Sequence, residues 1–294
     1  MSVEEKYDPH TGHRMTGHEW NGIEELNTPV PRLVWISLIV TGLFALVYWI
    51  LMPAWPLGVT YTKGLLGVDQ RVIVTEDVER AKADRFVWAD KVETMDLETI
   101  AADEELMGIV RQSGRALFGD NCAACHGTDA KGGEGYPDLT DQAWLWGGDP
   151  ETIAETIRVG VNVPHDESRQ SEMMAFGRDQ MLERDAILNV VAYVQSLSDP
   201  SLADGDQAEA VAAGEEVFIE NCAACHGEDG KGMVELGAPD LTDDAWLFGG
   251  DRDSIYSTVW NGHQGQMPAW ENRLSTVDQK ILTLYVLDLA EAAP

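Results

Sequence analysis

The heptapeptide Asn121-Cys122-Ala123-Ala124-Cys125-His126-Gly127 returns unchanged as Asn221-Cys222-Ala223-Ala224-Cys225-His226-Gly227. Two thiols three residues apart fall on one side of a helical turn, and the next residue brings its imidazole to the same place. Cys-x-x-Cys-His is the attachment pattern of a c-type haem, with both sulfurs bonded to the porphyrin and the imidazole on iron. The two copies hold all four cysteines of this 294-residue chain. A pair of disulfides would use the same residues, as would one zinc site built from two Cys-x-x-Cys knuckles. Neither explains why histidine follows the second cysteine both times. The motifs therefore predict two covalently bound haem c groups, attached through Cys122, Cys125, Cys222 and Cys225, with His126 and His226 as iron ligands.

The repetition extends well beyond the motifs. Pro137-Asp138-Leu139-Thr140-Asp141 is answered by Pro239-Asp240-Leu241-Thr242-Asp243. Ala143-Trp144-Leu145-Trp146-Gly147-Gly148-Asp149 is answered by Ala245-Trp246-Leu247-Phe248-Gly249-Gly250-Asp251, and Ile153, Ile157 and Gly160 by Ile255, Val259 and Gly262. Apolar residues at intervals of three, four and seven predict helices over 103–120 and 183–197 in the first copy, and over 207–220 and 277–290 in the second. Gly114 and Gly214 occupy matching places in the leading helices. A glycine there, despite its cost to a helix, points to close approach of another segment. A tandem duplication accounts for the pattern, with one helix opening and one closing each unit.

Residues 33–52 contain no charge and are rich in Leu, Ile, Val, Trp and Phe. About 20 such residues at ~1.5 Å each span a bilayer's hydrocarbon core. Trp35 near one end, and Tyr48, Trp49 and Trp55 near the other, fit interfacial belts. The long polar lead and the missing small-x-small cleavage site argue for an uncleaved anchor rather than a signal peptide. Basic residues on the two sides are too balanced to orient it. The haem motifs do so instead, because covalent haem is attached outside the cytoplasm. The expected fold is mainly α: one N-terminal transmembrane helix followed by two tandem class I-like cytochrome c domains. Its segments are a cytoplasmic polar tail (1–32), the span (33–52), a connector (53–104) and haem domains at 105–199 and 200–294. The connector is expected to hold a strand at 72–74 and a charged helix over 76–92. His10, His13 and His18 in the tail read as solvated residues. Met52-Pro53-Ala54-Trp55, with no Cys-x-x-Cys-His before it, reads as structural.

Charge narrows the partners. The formal net charge of −31 argues against nucleic acid, whose phosphates require Lys and Arg. It suits a basic protein partner or simple solubility.

Each iron needs a ligand opposite its histidine. In the second copy Met267, within Gln266-Met267-Pro268-Ala269-Trp270, follows His226 and supplies a soft, neutral thioether that raises the reduction potential. In the first copy Glu172-Met173-Met174-Ala175-Phe176 aligns Met173 with that place, and Met174, standing where proline is expected, is the alternative. His165 and His263 precede these methionines but do not align with each other. The carbonyls of Pro137 and Pro239 are placed to accept from the ring N–H of the axial histidines, and the aromatic residues at 144, 146, 246 and 248 to wall the haem crevices. With both axial positions filled, no catalytic residue is expected. A relay of electrons is favoured over a dihaem peroxidase, which needs an open iron. A free-standing membrane-tethered carrier remains a second form of relay.

The tail Gly17-His18-Glu19-Trp20-Asn21-Gly22-Ile23-Glu24-Glu25-Leu26-Asn27, before Pro29 and Pro31, resembles the N-terminal signature of the CcoP/FixP family. The anchor, the stretch from Tyr61 to Gly67 and the tandem Cys-Ala-Ala-Cys-His units resemble it too. This family is the membrane-anchored dihaem cytochrome c subunit of cbb3-type cytochrome c oxidases, and the similarity covers essentially the whole chain. The resemblance implies an electron-transfer subunit of a bacterial inner-membrane oxidase with periplasmic haem domains. Electrons would arrive from a soluble or membrane-bound cytochrome c. They would leave for a monohaem cytochrome c subunit and a catalytic haem b–copper subunit, where oxygen is reduced to water with proton pumping. It also implies haem ligation by His126, Met173, His226 and Met267. Met174 departs from the family's Met-Pro-Ala pattern.

Overall fold

The computed structural model describes residues 6–292; the first five residues of the expected tail and the last two of the second repeat lie outside them. The chain divides into two compact units, Met1–Ala83 and Asp84–Pro294.

In the first unit the polar tail is not shapeless. Strands β1 (Met15–Trp20) and β2 (Ile23–Leu26) pair antiparallel, Trp20 opposite Ile23 and Glu19 opposite Glu24, with a bulge toward Met15. Asn21 and Gly22 make the turn with φ of 48° and 86°, the left-handed pair that an Asn-Gly hairpin uses. Trp20 Nε1 donates to Glu25 at 3.1 Å, and Lys6 pairs with Glu24. The uncharged run forms α1 (Arg32–Leu51), long and apolar enough to cross a membrane. Its end is closed by Leu65 and Leu66, whose N–H groups donate to the carbonyls of Ile50 and Leu51, both at 3.0 Å.

The expected strand at 72–74 does not form. Gln70–Thr94 is a single helix, α2, that includes Val72-Ile73-Val74. Asp69 opens it by accepting from the Arg71 N–H at 3.0 Å. The helix penalty of three β-branched residues is only a few tenths of a kcal/mol each. Once a capped start and the long run of helix formers after Thr75 are in place, that penalty does not break the helix.

The second unit contains α3 (Leu97–Ala101), α4 (Glu104–Asn121), α5 (Ala123–His126), α6 (Pro150–Val159), α7 (Arg184–Ser198), α8 (Ala208–Asn221), α9 (Ala223–His226), α10 (Arg252–Asn261) and α11 (Thr276–Ala292). Carboxylates at N-caps fix several starts. Asp103 accepts from Glu105 and Leu106, Asp149 from Thr152, and Asp251 from Asp253 and Ser254. The four long helices lie where the apolar spacing predicts them, to within a residue or two.

Their partners are not those expected. The closing helix of each repeat packs on the other repeat. A Cβ on Gly114 of α4 would lie 2.6 Å from Tyr285 Cβ of α11, and one on Gly214 of α8 would lie 2.0 Å from the Asn189 carbonyl of α7. One core joins Leu106, Met107 and Val110 to Val277, Ile281 and Leu284. A second joins Phe118, Ile153 and Ile157 to Trp270, Leu282 and Val286, and a third joins Ile187, Val190, Val191 and Val194 to Phe218, Ile255 and Val259. The unit therefore has two bodies. One consists of α3–α6 plus α11. The other is the unbroken run α7–α10, inserted between α6 and α11. Arg111 of α4 pairs with Asp288 of α11 at 2.9 Å. Lys280 of α11 donates to the carbonyls of Val92, Glu93 and Met95 at 3.1, 2.9 and 2.6 Å, tying down the end of α2.

The two segments that connect the bodies exchange backbone hydrogen bonds with the helix ends they pass. Val161 and Met267 exchange both N–H···O bonds, at 2.9 and 3.0 Å, and Met173 and His263 do the same at 2.9 Å each. Gly160 and Gly262 end α6 and α10 with φ of 68° and 66°, and a Cβ on either would lie 2.4 Å from the carbonyl oxygen of Met267 or Met173 respectively. Only glycine fits both the dihedral and the contact.

Candidate haem-attachment sites

Each Cys-x-x-Cys-His motif follows directly on a long helix. The Cys122 N–H closes α4 on Phe118 O at 2.8 Å, and the Cys222 N–H closes α8 on Phe218 O at 2.7 Å. A four-residue helical turn then carries the motif, so that both thiols and the imidazole emerge from a single turn. No disulfide joins any of the four cysteines. Cys122 packs against the core of Phe118 and Ile153, whereas Cys222 is buried in the core of Phe218 and Ile255. The two pairs therefore do not converge on one tetrahedral metal. Burial, with a second thiol beside it, pushes the Cys122 and Cys222 thiols up to about 11. A redox-active Cys-x-x-Cys requires the opposite, a thiol lowered toward neutral pH.

The histidines are held alike. His126 Nδ1 lies 3.2 Å from the Pro137 carbonyl and His226 Nδ1 lies 3.1 Å from that of Pro239. A carbonyl can only accept, so Nδ1 carries the proton and Nε2 presents its lone pair. Burial depresses both imidazoles below the usual histidine value and so favours the neutral form, against the smaller opposing pull of the proline carbonyl. A neutral imidazole with an oriented Nε2 is what a metal ligand requires.

The methionines follow the exchange of helices. Met267 packs on the core that also receives Cys122, and Met173 on the core that contains Cys222. The spacing-based expectation, each methionine serving the histidine of its own repeat, thus differs from the packing. The cause lies in the crossing segments, which carry Met173 and Met267 into the opposite bodies. Met173 is half-buried, while Met174 points outward at 45 % exposure. The two non-aligned histidines have other partners. His165 Nε2 meets Glu271 at 2.9 Å, and His263 Nε2 meets Thr258 Oγ1 at 3.1 Å while its ring stacks on Phe248.

The four aromatic residues expected to line the crevices divide into two pairs. Trp144 packs on the core that also receives Cys122, and Trp246 on the core that contains Cys222. Trp146 and Phe248 instead reach into the other repeat, Trp146 against Gly237 and Phe248 against Gly135. Where the repeats face each other, a cavity of about 460 Å³ is lined by Asp141, Gln142, Ala143, Asp243, Asp244 and Ala245. Burial and neighbouring carboxylates raise Asp141 and Asp243 above the usual aspartate range. Spacing alone did not reveal this juxtaposition, because it arises from the crossing. Two thiols on one turn, an oriented neutral imidazole and a thioether in the same core fit haem c, and the set occurs twice.

Comparison with known proteins finds similarity along nearly the whole chain. Residues 12–59 match the family model described as the N-terminal domain of cytochrome oxidase-cbb3, FixP. Residues 112–198 match the cytochrome c model, and residues 209–286 match that of cytochrome C oxidase, cbb3-type, subunit III. The cbb3-type cytochrome c oxidase subunit FixP of Bradyrhizobium sp. (strain ORS 278) is 43 % identical over 98 % of this chain and 99 % of its own. The CcoP subunits of Azospirillum brasilense and Cereibacter sphaeroides are 40 % and 45 % identical, covering 98 % and 92 % of this chain and 99 % and 92 % of theirs. An N-terminal signature, a membrane-length helix and two cytochrome c modules agree along nearly all of the sequence, and the chain belongs to the FixP/CcoP family of cbb3-type cytochrome c oxidase subunits.

Proposed function

We propose that this subunit binds two haem c groups and relays electrons into the oxidase with its axial ligands paired crosswise: His126 with Met267, and His226 with Met173. The observation that carries the pairing is the placement of each methionine in the core of the other repeat's cysteines. Cys122, Cys125, Cys222 and Cys225 form the covalent links. When bound, haem c supplies a one-electron carrier that cycles between ferric and ferrous iron.

The chain's own residues do the tuning. Pro137 and Pro239 fix the tautomer and orientation of the imidazoles through the Nδ1 contact and increase their basicity. Met173 and Met267, as soft neutral donors, favour the reduced state. Trp144 and Trp246 cover apolar surface beside the motifs and keep water out. With a histidine and a methionine held toward each haem, neither iron would be open to substrate; this subunit would pass electrons and leave the oxygen chemistry to its partners.

We place α1 in the bacterial inner membrane, with the N-terminus cytoplasmic and the haem units periplasmic, where covalent haem attachment occurs. Electrons come from a soluble or membrane-bound cytochrome c and pass to the monohaem and catalytic haem b–copper subunits. The acidic chain suits a basic donor, through attraction that speeds encounter and fades with salt. A pyridine haemochrome assay on purified protein tests the cofactor count: about two c haems per chain are expected, and one would contradict the reading. Mild detergent extraction tests the assembly. The chain should emerge with haem b and copper; emergence alone would favour a free-standing carrier.

A further inference from the structure

The two methionine loops are fastened by different chemistry. At the Met267 loop, the Arg158 guanidinium at the end of α6 donates to Glu271 at 2.8 Å. The same group donates to Glu155 through two bonds of 2.8 Å and to Glu167 at 2.7 Å. Glu271 also meets His165 Nε2 at 2.9 Å, and its N–H donates to the Arg158 carbonyl at 3.1 Å. On the other side of Met267, Asn162 Nδ2 donates to Gly265 O at 2.7 Å; the same side chain also reaches the Met173 loop, donating to Ser171 O at 2.7 Å and accepting from the Ser171 N–H at 3.1 Å. The Met267 loop is thus gripped both before and after the methionine.

At the Met173 loop the corresponding residues are Trp260 for Arg158, Gln264 for Asn162 and Gly177 for Glu271. No ion pair is possible between them. Trp260 lies flat on Gly177 instead, so close that a Cβ there would be 2.3 Å from the indole. The next backbone contact is Arg178 N–H to Trp260 O at 2.9 Å. Asn162 reaches both loops from the side before the methionine, so the difference lies after it: the segment following Met267 is held by a charged network and the segment following Met173 by ring-on-glycine packing.

We propose that Arg158, acting through Glu271, is the positioning residue that keeps Met267 in place, and that Met173, without such a clamp, is the more readily displaced methionine. The inference rests on the reading that both methionines are iron ligands. A lone exposed ion pair would contribute little. Here one partly covered guanidinium joins three carboxylates with directed bonds, and loop geometry rather than global stability is what it controls.

Imidazole titration of the ferric, haem-loaded full-length chain tests this, read through the methionine-to-iron charge-transfer absorption. Met267→His identifies which phase of the loss belongs to Met267. In the unaltered protein that phase should come at the higher imidazole concentration. Arg158→Ala and Glu271→Ala should each lower its midpoint about tenfold, leave the Met173 phase in place, and together do no more than either alone. Glu271 is 42 % exposed, so its removal gives the same readout even where the arginine variant folds poorly. The clamp is overturned if neither substitution moves the Met267 phase, if both phases move equally, or if the Met173 phase is the later one. If Met267→His removes no phase, the ligand assignment itself fails.

Discussion

The two cytochrome c bodies carry the same parts and are assembled differently. In both, a proline carbonyl fixes the histidine, an aspartate caps the helix after the Trp-rich loop, and a glycine in the leading helix admits a partner. Yet the body around Cys222 is one unbroken stretch, α7 through α10, whereas the body around Cys122 is completed only by α11 at the far end of the chain. Proximity in sequence therefore settles the local geometry of each motif and leaves open which repeat completes it. A consequence is coupling in synthesis: the first body cannot be complete until α11, which follows the whole of the second in the chain, has been translated.

Fragments break this comparison most severely. A fragment of residues 170–264 contains the whole body of Cys222 and Met173, and should fold and retain one methionine-ligated haem. A fragment of residues 105–199 lacks α11 and Met267, and should lose its folded state altogether, as judged by haem staining and far-UV circular dichroism. Equal folding of the two would contradict the nested arrangement.

Ligand replacement sharpens it next. Met267→His and Met173→His should each lower one haem potential, on the order of 0.1–0.3 V, in a redox titration. The haem affected by Met267→His should be the one bound to Cys122 and Cys125.

The crossing glycines come third. Gly160→Ala and Gly262→Ala force a Cβ against a carbonyl at positive φ and should each cost about 1–3 kcal/mol. Thermal melts should fall in both variants, and an unchanged melt would mean that the crossing is loose.

The smallest effect is at the acidic cavity. Asp141 and Asp243 have carboxyl groups raised in the folded state. Their ionisation therefore costs stability as pH rises from the unfolded aspartate range through the folded value, and the full cost is present at neutral pH. Asp141→Asn should raise the melting temperature on the order of 1–3 °C at pH 7 and leave it unchanged in acid, where both states are protonated.

Much of this was legible in the sequence. Helical periodicity placed α4, α7, α8 and α11, and the duplicated Pro-Asp-Leu-Thr segments led to the histidine–carbonyl contacts. Gly114 and Gly214 pointed to close approaches, although not to the helices that make them. Residues 72–74 misled because β-branching is a weak local bias that a capped helix overrides. The hairpin was missed although Asn21-Gly22 advertises it. The exchange of closing helices had no local signal, since duplicated sequences pack equally well on either copy. Connection geometry decides, and only Gly160 and Gly262, paired in the alignment, marked where the segments would cross. The Arg158 clamp was hidden for the same reason: Arg158 and Glu271 lie in different repeats.

The central claim is the crosswise pairing of methionine and histidine. The most direct measurement is an experimental structure of the intact, haem-loaded oxidase at a resolution that separates the axial ligands. The account predicts Met267 sulfur on the iron held by His126 and Met173 sulfur on the iron held by His226. Met173 on the iron of His126 would contradict it.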